Sequence, residues 1–159
     1  LRKEAHKDGF VDVKIKDVIT RIESAGIGVG ANYIFGLPND TLQSMQNTLD
    51  FAIDNSTDMA NFYSAMAYPG SPLYLDAKRN GMELPSTYSG YSQHSYDSLN
   101  MSNENLTSAQ ILEFRDMAWD KYHTSPKYVN QLEKKFGLAA KNELENTTKV
   151  SLKRKLLGD

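Results

Sequence analysis

The sequence predicts an α/β fold built on a parallel sheet and followed by a helical carboxyl-terminal third. Three observations carry that expectation. An amphipathic helical pattern, an aliphatic run, a second helical pattern and a second apolar run succeed one another between residues 15 and 66. Two strands joined by a helix of that length imply a right-handed βαβ crossover, and therefore parallel pairing. From Thr107 onward the pattern is helical to the end.

The elements follow in order. Asp12 can cap a helix whose apolar residues Ile15, Val18, Ile19 and Ile22 fall at i, i+3, i+4 and i+7, with Gly26 ending it. Ile27 to Phe35 reads as a strand apolar on both faces, the pattern of a parallel strand covered by helices on each side. It stops at Gly36-Leu37-Pro38, and Asp40 or Thr41 then caps a second helix with Leu42, Met45, Leu49, Ala52 and Ile53 along one stripe. Met59 to Met66 is the next strand. Tyr68-Pro69-Gly70-Ser71-Pro72 is a turn into a short helix, with Ser71 as N-cap, Pro72 at the first helical position and Gly81 past its end.

These elements make up a first region, residues 1–83. Residues 84–106 are rich in Tyr and Ser, show no sustained period and read as a long ordered loop. The helical extension, residues 107–159, opens with a capping box from Thr107 to Gln110 and turns Ile111, Phe114, Ala118 and Tyr122 inward. A second helix starts at Ser125-Pro126 and stops at Gly137. A third, polar and basic, covers roughly Leu138 to Leu157, with the Lys149 to Lys155 cluster as its solvated face.

Composition narrows the function. The 159 residues, 40% hydrophobic and 24% charged, suit one globular core of ordinary size. A net charge of -2 leaves no electrostatic footprint for nucleic acid or a membrane surface. No apolar run approaches the ~18 residues of a membrane span, and the first residues lack the apolar core of a signal peptide, so a cytoplasmic location is expected. The glycosylation patterns at Asn55, Asn105 and Asn146 are then chance matches. There is no cysteine, so this chain alone builds no disulfide, no thiolate nucleophile and no cysteine-held metal or iron–sulfur cluster. The missing initiator methionine points to a piece of something longer.

The strand-to-turn glycine at Gly36 admits two explanations: it supplies backbone angles for the turn, or its missing side chain lets a ligand lie against the strand end. Ligands of parallel α/β folds sit at the carboxyl ends of strands, and Gly36 and Ala67-Tyr68 are two such neighbouring ends. His94, flanked by Tyr91, Gln93 and Tyr96, is the candidate acid–base residue if the loop covers the site, and otherwise an ordinary surface side chain. Tyr63 and Tyr68 can face adenine or substrate, although core packing explains Tyr63 equally well. Trp119 sits at helical spacing, as a core residue would. His6, His94 and His123 are widely separated and lack paired carboxylates, so no metal site is expected. No GxGxxG, Walker-type loop or nucleophile elbow is present.

Four segments carry a family resemblance: ANYIFGLPNDT after Gly26-Ile27, ANFYSAMAYPGSPLY, GYSQHSYD, and LKRKLLGD at the end. Together they resemble the carboxyl-terminal half of radical S-adenosylmethionine (radical SAM) enzymes, most like those with an N-terminal cobalamin-binding domain. The resemblance implies a partial, TIM-like (β/α)6 barrel of which this chain supplies about two strands, Ile27 to Phe35 as the fifth and Met59 to Met66 as the sixth. It implies a parent enzyme that binds S-adenosylmethionine, holds a 4Fe-4S cluster through a CxxxCxxC loop after the first strand, and generates a 5'-deoxyadenosyl radical. A cobalamin-assisted methyl transfer or rearrangement follows where the cobalamin domain is present. The family's fifth-strand pattern GxIxGxxE falls on Asn32, Ile34, Gly36 and Asn39, of which Ile34 and Gly36 match. By this resemblance the cofactor-binding residues are Asn32, Ile34, Gly36, Leu37, Pro38, Tyr63 and Tyr68. Without cysteines or the first four strands, the chain is expected to be a fragment, inactive alone, whose partner is the remainder of its own parent chain. The alternative is a stand-alone, non-catalytic binding or scaffold module derived from a half-barrel.

Overall fold

The computed structural model describes residues 13–159. Asp12 and His6 therefore lie outside the described residues. The first helix, α1 (Ile15–Ser24), has Lys14 at its N-cap with no side-chain cap bond. Its apolar stripe forms as the spacing predicts, yet none of its residues is buried.

The strands β1 (Gly30–Phe35) and β2 (Met59–Ser64) pair in parallel, with Gly30 opposite Met59 and Phe35 opposite Ser64. Between them α2 (Leu42–Asp54) starts at Thr41. Thr41 Oγ1 accepts from the Ser44 amide at 3.2 Å while Ser44 Oγ accepts from the Thr41 amide at 2.8 Å, so two orphan donors are satisfied at once. Met45, Leu49 and Ala52 form its buried edge, whereas Leu42 is half exposed. The short helix α3 (Pro72–Arg79) starts at Ser71, whose hydroxyl accepts from the Tyr74 amide.

Residues 84–106 form an ordered segment with a single 3-10 turn at Ser89–Tyr91. Three helices follow: α4 (Ser108–His123), α5 (Pro126–Phe136) and α6 (Leu138–Thr147). The Thr107–Gln110 capping box opens α4 as expected. Beyond α6 the prediction fails. The third helix was expected to reach Leu157, but it stops at Thr147, and only a 3-10 turn at Lys155–Leu157 follows. The basic cluster is correspondingly not a solvated helix face, because Arg154 is 1% exposed.

The core lies on one side of the sheet. Alternation along the strands directs Tyr33 and Phe35 of β1, and Ala60 and Phe62 of β2, toward the helices. Ile111, Phe114, Ala118 and Tyr122 of α4 meet them, with Phe35 stacked on Phe62 at 5.8 Å and edge-on to Phe114 at 5.1 Å. Such aromatic pairs contribute about 0.5–1.5 kcal/mol each beyond their buried area. Tyr122 also secures the turn before β2, its hydroxyl accepting from the Thr57 amide at 3.0 Å and donating to the Thr57 carbonyl at 3.2 Å.

The other sheet face is open among the described residues, which corrects the expectation of helices on both sides. Ile34 is 47% exposed and Met59 60% exposed there. The two sheet edges also differ. On β2 the outward backbone groups at the carboxyl end are taken by side chains: the Gln93 amide accepts from the Ser64 N–H and donates to its carbonyl, both at 3.0 Å, and Arg115 Nε donates to the Phe62 carbonyl at 2.7 Å, whereas the Ala60 amide and carbonyl and the Phe62 amide have no hydrogen-bond partner among the described residues. On β1 the outward groups belong to Gly30, Asn32 and Ile34, and they have no hydrogen-bond partner among the described residues.

Candidate functional site

The period of two that buries Tyr33 and Phe35 places Asn32 and Ile34 on the open face, beside Asn61 and Tyr63 of β2. The side chains of Asn32 and Asn61 are joined across the strands, Asn61 Nδ2 donating to Asn32 Oδ1 at 3.1 Å. The face thus combines an amide pair, a half-exposed isoleucine and a phenol.

At the carboxyl end of β1 the chain turns through Gly36, Leu37, Pro38 and Asn39, with φ of +77° at Gly36 and +66° at Asn39. Asp40 holds this turn from below: it is 4% exposed, and its Oδ2 accepts from the amides of Gly36 at 3.0 Å and Leu37 at 3.1 Å. Ser44 donates to its other oxygen, so the helix cap and the turn share one carboxylate. From the far side, Asn103 Nδ2 donates to the carbonyls of Leu37 and Asp40.

Gly36 requires a correction to the ligand-approach explanation. A β-carbon there would lie 2.6 Å from Cγ2 of Ile111, so the space that the missing side chain leaves is filled by α4. The positive φ independently favours glycine. Packing and backbone geometry account for this residue, and its amide is already engaged by Asp40.

The structure therefore divides the candidate residues. Asn32, Ile34 and Tyr63 share the open face. Pro38 lines a cavity of about 400 Å3 with Asn39, Leu73, Ala77, Met82 and Asn103, and Leu37 lies beside it in the same turn. Tyr68 is half exposed past the end of β2, its ring 6.0 Å from that of Tyr91. His94 is apart from all of these and lines a second cavity with α4 and the carboxyl-terminal segment. Partial burial, then the charges of Arg115 and Arg154, lower its pKa against an opposing contribution from Asp116.

Sequence reasoning missed the groups that hold the site in shape. Asp40 was readable only as a helix cap, and its place two residues after Pro38 was the available signal. Gln93 was noted only as a neighbour of His94. Arg154 gave no signal at all, yet it binds Asp116 through Nε and Nη2 at 2.8 and 2.9 Å, the Gln93 carbonyl at 2.9 Å and the Ser95 carbonyl at 3.0 Å. Among the described residues no group of His, Cys, Asp and Glu could hold a metal ion, and no helix is long and apolar enough to cross a membrane.

Over 113 residues, 71% of this chain, the sequence is 26% identical to a protein of Pyrococcus horikoshii described as an uncharacterized methyltransferase. The matched stretch is 24% of that protein, so the chain spans about a quarter of the length of the curated relative it matches. No family model matches the chain, and no solved structure matches it.

Proposed function

We propose that this chain is the carboxyl-terminal part of a radical SAM enzyme and supplies one wall of its S-adenosylmethionine pocket. The observation that carries this reading is the one-sided sheet. The face away from the core is open, the β1 edge is free to continue in parallel, and the carboxyl end of the β2 edge is engaged by Gln93 and Arg115. Such a sheet is better disposed to extend from β1, whose outward groups are all unpaired, than from β2, as the last two strands of a partial barrel would be. The likeness to a protein described as a methyltransferase supports the use of S-adenosylmethionine.

On this reading Ile34 packs against the adenine, the Asn32–Asn61 pair offers donors and acceptors to its edge, and Tyr63 closes the side of the pocket. The pinned Leu37-Pro38 turn sets the end of the pocket, and Tyr68 borders it from the β2 end. Held by these residues, S-adenosylmethionine would supply either a methyl group or, on one-electron reduction by a cluster of the parent and with release of methionine, a 5'-deoxyadenosyl radical. The residues present do not fit a 4Fe-4S cluster, since there is no thiolate to hold one. Cluster ligands and any cobalamin domain belong to the remainder of the parent, as do the upstream strands that pair with β1.

The test uses the full-length parent. Ile34→Glu places a charge on the open face without touching the packed side, so the enzyme folds and its affinity for S-adenosylmethionine falls by at least about tenfold, roughly 1.4 kcal/mol. Unchanged affinity in the folded variant overturns the placement of the pocket. A parent gene without a CxxxCxxC segment upstream of this region overturns the radical reading and leaves the scaffold module in its place.

A further inference from the structure

We propose that the cavity between α4 and the carboxyl-terminal segment binds an organic cation, an ammonium group carried on an apolar body. The cavity has a volume of about 490 Å3, within the range of small-molecule sites, and none of its lining residues belongs to β1 or β2. The inference is thus independent of the function proposed for the sheet face.

One wall is a stripe of α4. Glu113, Met117 and Asp120 recur at i, i+4 and i+7 and so point the same way, with Trp119 beside them. The opposite wall is Val150, Leu152 and Leu157 from the segment that follows α6. A lining that combines apolar side chains with carboxylates selects a ligand that is apolar along its length and positive at one end.

The sign of the charge follows from who is already paired. Asp116 is shared between two guanidinium groups, Arg115 at 2.7 Å and Arg154 at 2.8 Å. The remaining bonds of those arginines go inward, to the carbonyls of Phe62, Gln93 and Ser95. Glu113 and Asp120 form no ion pair among the described residues, and the lining itself sets Glu113, Asp116 and Asp120 against Arg115, so its surplus is negative. His94 adds no compensating charge near neutral pH, because its pKa is lowered, chiefly by burial. Asp120 has its pKa raised by burial and then by the nearby Asp116 charge, a cost that an arriving cation removes. Trp119, whose ring lies 4.4 Å from that of His123, adds an aromatic side chain to the same wall, of the type that best attracts a cation.

Trp119 also makes the proposal directly readable, since it is the one tryptophan of the sequence. Titration of the chain with 2-phenylethylammonium and, in parallel, with 2-phenylethanol of similar size and no charge is followed by tryptophan fluorescence. The ammonium is expected to bind at least about tenfold more tightly than the alcohol, and added salt is expected to narrow that gap. Glu113→Gln with Asp120→Asn should abolish the preference while leaving the weak binding of the alcohol intact, with folding verified by circular dichroism. Equal affinity for the two probes, no fluorescence response to either, or a preference that survives the double variant overturns the proposal.

Discussion

A β-carbon placed on Gly36 would lie 2.6 Å from Cγ2 and 2.7 Å from Cδ1 of Ile111, a residue with no exposed surface. Helix α4 therefore docks on the strand end only because residue 36 has no side chain. Gly36→Ala should destabilise the protein by roughly 2–4 kcal/mol, combining overpacking with a left-handed backbone angle. In combination with Ile111→Ala the loss should be smaller than the sum of the two single losses by about 0.5–3 kcal/mol, as read from urea midpoints. Strict additivity would show that the contact is not what excludes a side chain.

The bonds between Gln93 and Ser64 suggest a second outcome. Gln93 presents to β2 the donor and acceptor that a neighbouring strand would present. Gln93→Leu leaves a buried amide and a buried carbonyl unpaired, each at a cost of about 1–3 kcal/mol. It also reopens a sheet edge, so concentration-dependent association should appear in sedimentation velocity. A variant that stays as stable and as monodisperse as the parent would show that the edge needs no seal.

Arg154 and Asp116 tie the chain end to the loop and to α4. Arg154→Ala strips Asp116 of one of its two cations and leaves the Gln93 and Ser95 carbonyls without this donor, so a loss of about 3–5 kcal/mol is expected. Arg154→Lys should recover little of it, because an ammonium cannot reproduce a planar set of donors aimed in three directions. Thermal unfolding distinguishes the two variants from the parent.

His123 gives a pH dependence. Burial lowers its pKa from 6.5, outweighing the bond to the Trp119 carbonyl, with the Arg115 charge adding to the lowering. The unfolded chain therefore binds this proton at a higher pH than the folded chain does. The stability is fully present above about pH 6.5 and declines as pH falls toward the lower folded value. His94 acts in the same direction. Urea midpoints between about pH 7 and pH 5 should fall in the parent, and His123→Gln should reduce that slope whatever it does to the level.

Much of the fold was legible in the sequence because it rests on short-range rules. Thr107 and Gln110 lie one turn apart, so their capping box needs no tertiary partner. Ile111, Phe114, Ala118 and Tyr122 declare an inward face by spacing alone. The same rule overreached at the carboxyl end: Lys149 to Lys155 read as a solvated helix, yet Arg154 is buried there. The burial of an arginine depends on carbonyls and a carboxylate 38 to 61 residues away, and no local pattern encodes them.

The candidate site divides in the same way. Alternation by itself separates Asn32 and Ile34 from Phe35 along β1, and Tyr63 from Phe62 along β2, because the pleat has a period of two whatever surrounds it; that Tyr63 shares the face of Ile34 follows from the register of the two strands. Which of those faces is covered was decided only in three dimensions, when α4 brought Ile111 and Phe114 against the aromatic side and left the amide side open. Gly36 shows the difference most directly. Its sequence determined a turn, since a glycine before Leu-Pro ends a strand; that its vacancy belongs to Ile111, 75 positions along the chain, was settled by helix packing, where atoms distant in sequence compete for the same volume.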